Sequence, residues 1–121
     1  MAALQTYRKD GGIVVLLTNS PKPRAGVMQQ LPDFGVPAGC YDTIATSGDS
    51  ARAAMYTGAV GNKVYFMGEA ERDAGFFEPM DVIDNPAEIT RVPVADAEGI
   101  VCCGPFDPMA DPSTWRADLM M

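Results

Sequence analysis

The stretch Gly11-Gly12-Ile13-Val14-Val15-Leu16-Leu17-Thr18-Asn19-Ser20 contains the clearest fold signal in this chain. Five apolar residues follow a Gly-Gly turn, and three small polar residues come directly after them. A continuous run of this kind, rich in Val and Ile, predicts a strand buried on both faces, as in a parallel sheet covered by helices. Open α/β sheets bind ligands beyond the carboxyl ends of their strands, and Thr18, Asn19 and Ser20 would lie there.

The polar triplet has two interpretations. Residues 20–23, Ser-Pro-Lys-Pro, predict the start of a helix. Hydroxyl groups, an amide side chain and a helix N-terminus together favour binding of an anion, phosphate above all. The alternative is a core strand followed by an ordinary polar turn, because hydroxyl side chains also end many strands as turn formers.

Length and charge exclude several classes of function. A chain of 121 residues with 47% apolar residues suits one domain with a packed core. The formal net charge of −7 argues against a nucleic-acid surface and against attraction to anionic membranes. An anionic ligand would therefore need a local site, such as a set of backbone N–H groups.

The inventory of reactive side chains is short. The chain has no histidine, which excludes Ser-His-Asp and Cys-His catalysis within it. Its three cysteines are Cys40, Cys102 and Cys103, an odd number that does not suggest a disulfide framework. We interpret the adjacent pair as small core residues. No signal peptide or membrane-spanning run is visible, so we expect a reducing, cytoplasmic location.

Helical and extended patterns alternate along the chain. The patterns predict helices at 2–9, 21–34, 50–56 and from 113 onwards, strands at 13–17, 63–68 and 99–104, and shorter extended pieces at 41–47, 82–83 and 89–92. We expect Gly35 to end the second helix, Ser47 or Asp49 to cap the third, and Asp111 to cap the last. This alternation predicts an α/β fold, three-layered and Rossmann-like, with a mainly parallel sheet.

Both ends of the chain suggest cuts through a larger pattern. The first helix begins at the first residues without a capping signal, and the last stops at Met121 without a C-terminal signal. A missing first strand would leave the strand at 13–17 with an apolar edge open to pairing. We therefore predict a homo-oligomer or a rearranged sheet.

Residues 12–23, Gly-Ile-Val-Val-Leu-Leu-Thr-Asn-Ser-Pro-Lys-Pro, resemble the second motif of the haloacid dehalogenase (HAD) superfamily, subfamily IIA, the NagD-like phosphatases. In that motif a hydrophobic strand ends in Thr-Asn before a helix. Blocks at 35–37 and 41–49, at 63–69 and at 97–107 resemble later parts of the subfamily in the same order. The resemblance implies a HAD-like fold, with a partial core at 1–48 and a partial cap at 49–121 that could pack as one domain.

The resemblance also implies hydrolysis of phosphate monoesters of small molecules. The family uses an Asp-x-Asp nucleophile motif, Mg²⁺, a Thr or Ser that holds the phosphoryl group, a Lys and late acidic metal ligands. Carboxylate attack with neutralisation by a metal suits phosphoryl transfer. Of these parts the chain contains only the Thr-Asn element. The implied phosphate-binding residues are Thr18, which would donate its hydroxyl, with Asn19 and Ser20 beside it.

Departures from the family pattern bear on activity. No Asp-x-Asp precedes Ile13, Asp10 is a single acid in a turn, and Lys63 belongs to the cap-like strand. The resemblance therefore predicts an internal fragment that is inactive alone, with no catalytic residue and no Mg²⁺ ligand of its own. The alternative is a standalone, non-catalytic α/β module that binds a small anion or a partner protein.

The remaining acidic residues form a weaker candidate. The carboxylates of Asp96, Glu98, Asp107 and Asp111 could be imagined around a cation, but prolines and a glycine separate them and their spacing matches no known loop. We interpret them as a solvated acidic turn.

Overall fold

In the computed structural model, which describes residues 1–104, 111 and 113, the strand predicted at 13–17 belongs to a parallel pair. Strand β1 (Val15–Thr18) runs beside β2 (Thr43–Thr46), with Val15 opposite Thr43 and Thr18 opposite Thr46. β1 begins two residues later than predicted and includes Thr18. The carboxyl end of this sheet therefore carries a threonine from each strand.

The connections in this first unit (Met1–Ala51) follow the sequence patterns closely. Helix α1 (Ala2–Lys9) has the predicted bounds, but α2 (Arg24–Gln30) begins three residues after Pro21. A 3-10 turn, Leu31–Phe34, replaces the end of the predicted second helix because Pro32 has no N–H to donate. Gly35 ends it in the left-handed region, at φ 73°, as predicted.

The core of the first unit lies on one face of its sheet. Its buried members are Val14, Val27, Cys40, Tyr41 and Ile44, and partly buried Leu4, Leu16, Leu31 and Val36 pack against them. The opposite face is open, and 87% of Leu17 is exposed. The prediction that this strand is buried on both faces is wrong, because α1 and α2 both contribute to the same cluster.

Helix α3 (Ser47–Tyr56) begins directly after β2, three residues earlier than predicted. The backbone N–H of Asp49 donates to Oγ1 of Thr46 over 2.9 Å. Thr46 is therefore the capping residue, and the prediction that Ser47 or Asp49 would cap this helix is wrong. The cap satisfies an amide that the first turn of a helix leaves without an intrahelical partner.

The second unit (Arg52–Met121) contains a three-stranded parallel sheet. Its strands are β3 (Lys63–Met67), β4 (Thr90–Arg91) and β5 (Gly99–Cys102), in the order β4-β3-β5. The 3-10 turns Ala74–Phe77 and Val94–Asp96 lie between them. No strand forms at 82–83, where an extended piece was predicted.

The core of the second unit forms around the central strand β3. Its buried members are Met55, Tyr56, Val64, Phe76, Met80 and Val101. Strand β5 is not buried on both faces, since Ile100 is 57% exposed and Cys102 is exposed. The interpretation of Cys102 as a core residue is wrong, whereas its neighbour Cys103 packs partly against the core.

The last predicted helix is described only at its beginning. The backbone N–H of Ser113 donates to Oδ1 of Asp111 over 2.8 Å, the contact expected of a helix N-cap. Its continuation lies outside the described residues. Within the described part of the chain, no helix is long and apolar enough to cross a membrane. Helices and parallel sheets together confirm the α/β class.

Candidate functional site at the carboxyl edge of the first sheet

The predicted phosphate-binding residues lie at one edge of the β1–β2 sheet, which we call the carboxyl edge. Thr18 is the last residue of β1 and is half-buried opposite Thr46. Asn19 is exposed, and Ser20 is half-buried in the turn towards α2. The structure thus places hydroxyl groups and an accessible amide where a parallel sheet offers ligands a crevice.

Local hydrogen bonds order this turn. Oγ1 of Thr18 accepts the backbone N–H of Ser20 over 3.2 Å. Oγ of Ser20 accepts the backbone N–H of Lys22, also over 3.2 Å. A hydroxyl that accepts a hydrogen bond keeps its own proton for donation. Thr18 and Ser20 can therefore each donate to an oxygen of an anion while they hold the turn.

A carboxylate of the chain lies at the start of α2. Oδ2 of Asp49 accepts the backbone N–H of Arg24 over 3.3 Å and its Nε–H over 2.9 Å. The Asp49 side chain is 11% exposed, and that of Arg24 is 45% exposed. The first amide of α2 thus already has an anionic partner. A bound anion would depend on the hydroxyls and on Asn19 more than on this helix end.

The first turn of α3 holds the β1–α2 turn in place. The N–H of Gly48 donates to the carbonyl oxygen of Ser20 over 3.0 Å. A Cβ atom at position 48 would collide with the carbonyl oxygen of Pro21 and lie 2.6 Å from that of Lys22. Glycine is therefore needed for this close approach of two backbones.

Sequence reasoning missed the residues that hold this turn: Thr46, Gly48, Asp49 and Arg24. One signal was available, because Thr46-Ser47-Gly48-Asp49 has the Ser/Thr-x-x-Glu-like spacing of a helix start, here with Asp in the last position. The contact between Asp49 and Arg24 joins residues 25 positions apart. No local pattern could have indicated it.

Two of the other acidic candidates, Glu98 and Asp111, accept hydrogen bonds from backbone N–H groups. Oε2 of Glu98 accepts the N–H groups of Lys63 and Asn62 over 3.1 and 2.7 Å, and these bonds lower the pKa of Glu98. The Ser113 N–H likewise lowers the pKa of Asp111. Asp107 lies outside the described residues. Among those described, no three His, Cys, Asp or Glu side chains are arranged to hold a metal ion.

Two of the three thiols, those of Cys40 and Cys103, do not resemble activated nucleophiles. Cys40 is buried, and burial raises the pKa of Cys103 to about 11. A thiol with a raised pKa is a poorer source of thiolate near neutral pH. Cys102 is exposed at the end of β5.

A concavity lies at the opposite, amino edge of the first sheet. It has a volume of about 410 Å³ and is lined by Gln5, Arg8, Lys9, Gly39 and Asp42. Arg8 donates to Oδ1 of Asp42 over 2.6 Å and to the carbonyl oxygen of Gly39 over 2.8 Å. These bonds connect α1 to the residues that directly precede β2, so the Arg8–Asp42 pair has a structural role.

Comparison with solved structures identifies a similar hydrolase. The chain matches the crystal structure of a hydrolase of the haloacid dehalogenase-like family from Brucella suis 1330, with 33% sequence identity and a TM-score of 0.76. The match covers 98% of this chain and 41% of that hydrolase. The chain thus spans less than half the length of the hydrolase and shares its fold over that part. No protein-family model and no curated protein matches the chain.

Proposed function

We propose that the chain is part of a haloacid dehalogenase-like hydrolase of subfamily IIA, with the turn at Thr18, Asn19 and Ser20 as its phosphate-binding element. The similarity to the Brucella hydrolase supports the superfamily, and the motif at 12–23 supports the subfamily. The observation that carries the proposal is the Thr18 hydroxyl, ordered at the carboxyl end of a parallel strand beside Thr46.

The carboxyl edge offers a phosphate monoester of a small molecule three kinds of contact. Thr18 and Ser20 donate O–H groups, and the exposed Asn19 amide donates N–H groups. Hydrogen bonds to a charged acceptor are stronger than neutral ones. Arg24 adds positive charge near the turn, although its guanidinium also forms an ion pair with Asp49.

The Mg²⁺ ion that the family implies does not fit the described residues. The carboxylate at the carboxyl edge is that of Asp49, which is already bonded to Arg24. Magnesium sites use carboxylates together with substrate phosphates and water. In this proposal the described residues bind the phosphate group and hold no metal by themselves, and the chain catalyses no turnover alone.

Binding of inorganic phosphate tests the assignment of the turn. We expect Thr18→Val to weaken phosphate binding by at least tenfold, because a hydrogen bond to a charged group contributes about 1.5–3 kcal/mol. Thr43→Val is the matched control, since Thr43 lies at the other end of the sheet and is exposed. Titration followed by NMR gives the affinities and locates the shifted amides.

Equal loss of affinity in both variants, or no phosphate binding at all, would contradict the assignment. Equal affinity for phosphate, sulfate and acetate would favour the alternative of a general anion-binding module.

Turnover of an aryl phosphate with Mg²⁺ tests the proposed inactivity separately. We expect no release of phosphate by this chain above the buffer rate. Turnover that a single Asp→Asn change abolishes would place a nucleophile within these 121 residues and overturn this part of the proposal.

A further inference from the structure

The carboxyl edge has a further exposed hydroxyl, that of Ser47, the first residue of α3. Oγ1 of Thr18 and Oγ of Ser20 each accept a backbone N–H of the β1–α2 turn. Oγ1 of Thr46 accepts the N–H of Asp49. Among the described residues, the Ser47 hydroxyl has no such hydrogen bond. Exposed serines are common on protein surfaces, so the position of this one decides whether it can serve a ligand.

The pairing of β1 with β2 fixes where Ser47 lies. The last pair of the parallel ladder is Thr18 opposite Thr46. Asn19 follows the first of these residues and Ser47 follows the second, and both are exposed. Neighbouring strands lie about 4.8 Å apart, so the residues directly after the last pair begin side by side. Ser47 therefore lies beside Asn19 at the carboxyl edge.

A backbone hydrogen bond keeps the two segments together beyond the ladder. The N–H of Gly48 donates to the carbonyl oxygen of Ser20 over 3.0 Å. This bond joins the residue after Ser47 to the residue after Asn19. Ser47 is thus held on both sides, by the pairing of Thr46 before it and by the hydrogen bond of Gly48 after it. Its backbone cannot move away from the β1–α2 turn without breaking one of these contacts.

Two of the backbone amides in the first turn of α3 are already bonded within the chain. The N–H of Gly48 donates to Ser20, and the N–H of Asp49 donates to Oγ1 of Thr46. An anion at this end of α3 would therefore depend on the side chain of Ser47. A serine hydroxyl can donate its proton to an oxygen atom of such an anion.

The carboxylate two residues after Ser47 does not oppose binding of an anion there. The Asp49 side chain is 11% exposed, and its Oδ2 accepts the backbone N–H and the Nε–H of Arg24. Side chains two positions apart on a helix do not share a face. Asp49 is therefore directed towards α2, whereas Ser47 is accessible to a ligand.

We propose that Ser47 is a further phosphate-binding residue, which contacts the phosphate group from the β2 side of the carboxyl edge. Thr18, Asn19 and Ser20 contact the same group from the β1 side, so it lies between the two chain segments. The Ser47 hydroxyl donates to one phosphate oxygen, and a hydrogen bond to a charged acceptor is stronger than one between neutral groups. This inference rests on the proposed function, because it adds a contact to the same site.

Titration of serine variants with inorganic phosphate tests the contact. We expect Ser47→Ala to weaken binding by at least about tenfold, the effect of losing one hydrogen bond to a charged acceptor. Ser47→Thr should keep the wild-type affinity, because threonine retains the hydroxyl. Ser50→Ala is the matched control in the same helix. Its hydroxyl donates to the carbonyl oxygen of Thr46 over 3.2 Å, so its removal should leave the affinity for phosphate unchanged.

Comparison with Thr18→Val separates this inference from the proposed function. Loss of affinity in Thr18→Val but not in Ser47→Ala would overturn the role of Ser47 and leave the phosphate-binding turn in place. Failure of the unchanged chain to bind phosphate would overturn both. An affinity that is lost in Ser47→Thr as well, or lost equally in Ser50→Ala, would also overturn the role of Ser47, because neither result follows from a contact of its hydroxyl.

Discussion

Strands β1 and β3 are both apolar and both parallel to a neighbour, yet their burial differs. β3 lies between β4 and β5, and its Val64 is fully buried. β1 has one partner strand among the described residues, and its Leu17 is 87% exposed. An apolar run therefore predicts that a strand forms, whereas the neighbours on each side decide how much of it is buried.

The carboxyl ends of the two sheets differ as well. In the first unit, the end of β1 leads into a turn that the first turn of α3 holds in place through Gly48 and Asp49. In the second unit, β3 ends before a turn in which Glu69 and Asp73 accept nearby backbone N–H groups. The turn after β1 is thus held by residues more than 20 positions away in the chain, whereas the contacts after β3 join residues at most four positions apart.

The largest effect is expected at this held turn. Gly48→Ala should destabilise the first unit by about 3 kcal/mol, because the added Cβ collides with backbone that cannot move away cheaply. Gly26→Ala, within α2, is the matched control. The atoms nearest to a Cβ at position 26 belong to the Lys22 side chain, at 3.7 Å, which is an ordinary contact distance. That control should gain about 0.5–1 kcal/mol from reduced freedom of the unfolded chain.

Urea unfolding, followed by NMR signals of the first unit, measures both glycine variants. Wild-type stability in Gly48→Ala would show that the β1–α2 turn does not depend on its contact with α3.

A matched pair of valines tests the contrast in burial directly. Val101→Ala should cost the second unit about 2 kcal/mol, because Val101 is 6% exposed and two buried methyl groups are lost with some cavity formation. Val15→Ala should cost less than about 0.5 kcal/mol, because Val15 is 52% exposed. Denaturation is measured on dilute samples, so that self-association does not contribute to the stability change of Val15→Ala. Equal losses of stability in Val101→Ala and Val15→Ala would show that the two valines do not differ in burial.

The smallest effect is expected from acid. The hydrogen bond from Arg8, followed by the N–H of Val14, lowers the pKa of Asp42 below its ordinary 3.8. The N–H groups of Lys63 and Asn62 lower the pKa of Glu98 below its ordinary 4.5. Each carboxylate contributes stability above its unfolded pKa, and that contribution is lost as pH falls through the folded pKa.

Acidification should therefore weaken the Glu98 contacts of the second unit from about pH 4.5 downwards and the Asp42 contacts of the first from about pH 3.8. Asp42→Asn and Glu98→Gln should each flatten the pH dependence of the unit that contains them and leave the other unit unchanged. Urea midpoints between pH 3 and 6 provide the measurement. If either variant altered the pH dependence of the urea midpoints of both units, the assignment of each carboxylate to one unit would be contradicted.

The candidate site was predictable in part. Thr18, Asn19 and Ser20 follow an apolar run, and that pattern alone places them at the end of a strand. Arg24 and Asp49 were not predicted, because their contact depends on α2 and α3 beginning at the same end of the sheet. The sequence shows that hydroxyl side chains follow a strand. It does not show that the first amide of α2 donates to Asp49, which belongs to a different helix.

The sequence by itself determined the local elements. Helix α1, strand β3 and the end of the second helix at Gly35 follow from residue periodicity, β-propensity and the conformational freedom of glycine, which act over a few neighbouring residues. Only the tertiary structure decided that Leu17 is exposed, that Cys102 faces solvent and that Asp49 lies at the start of α2. Burial and pairing of this kind depend on residues far apart in the chain, whose positions no local pattern encodes.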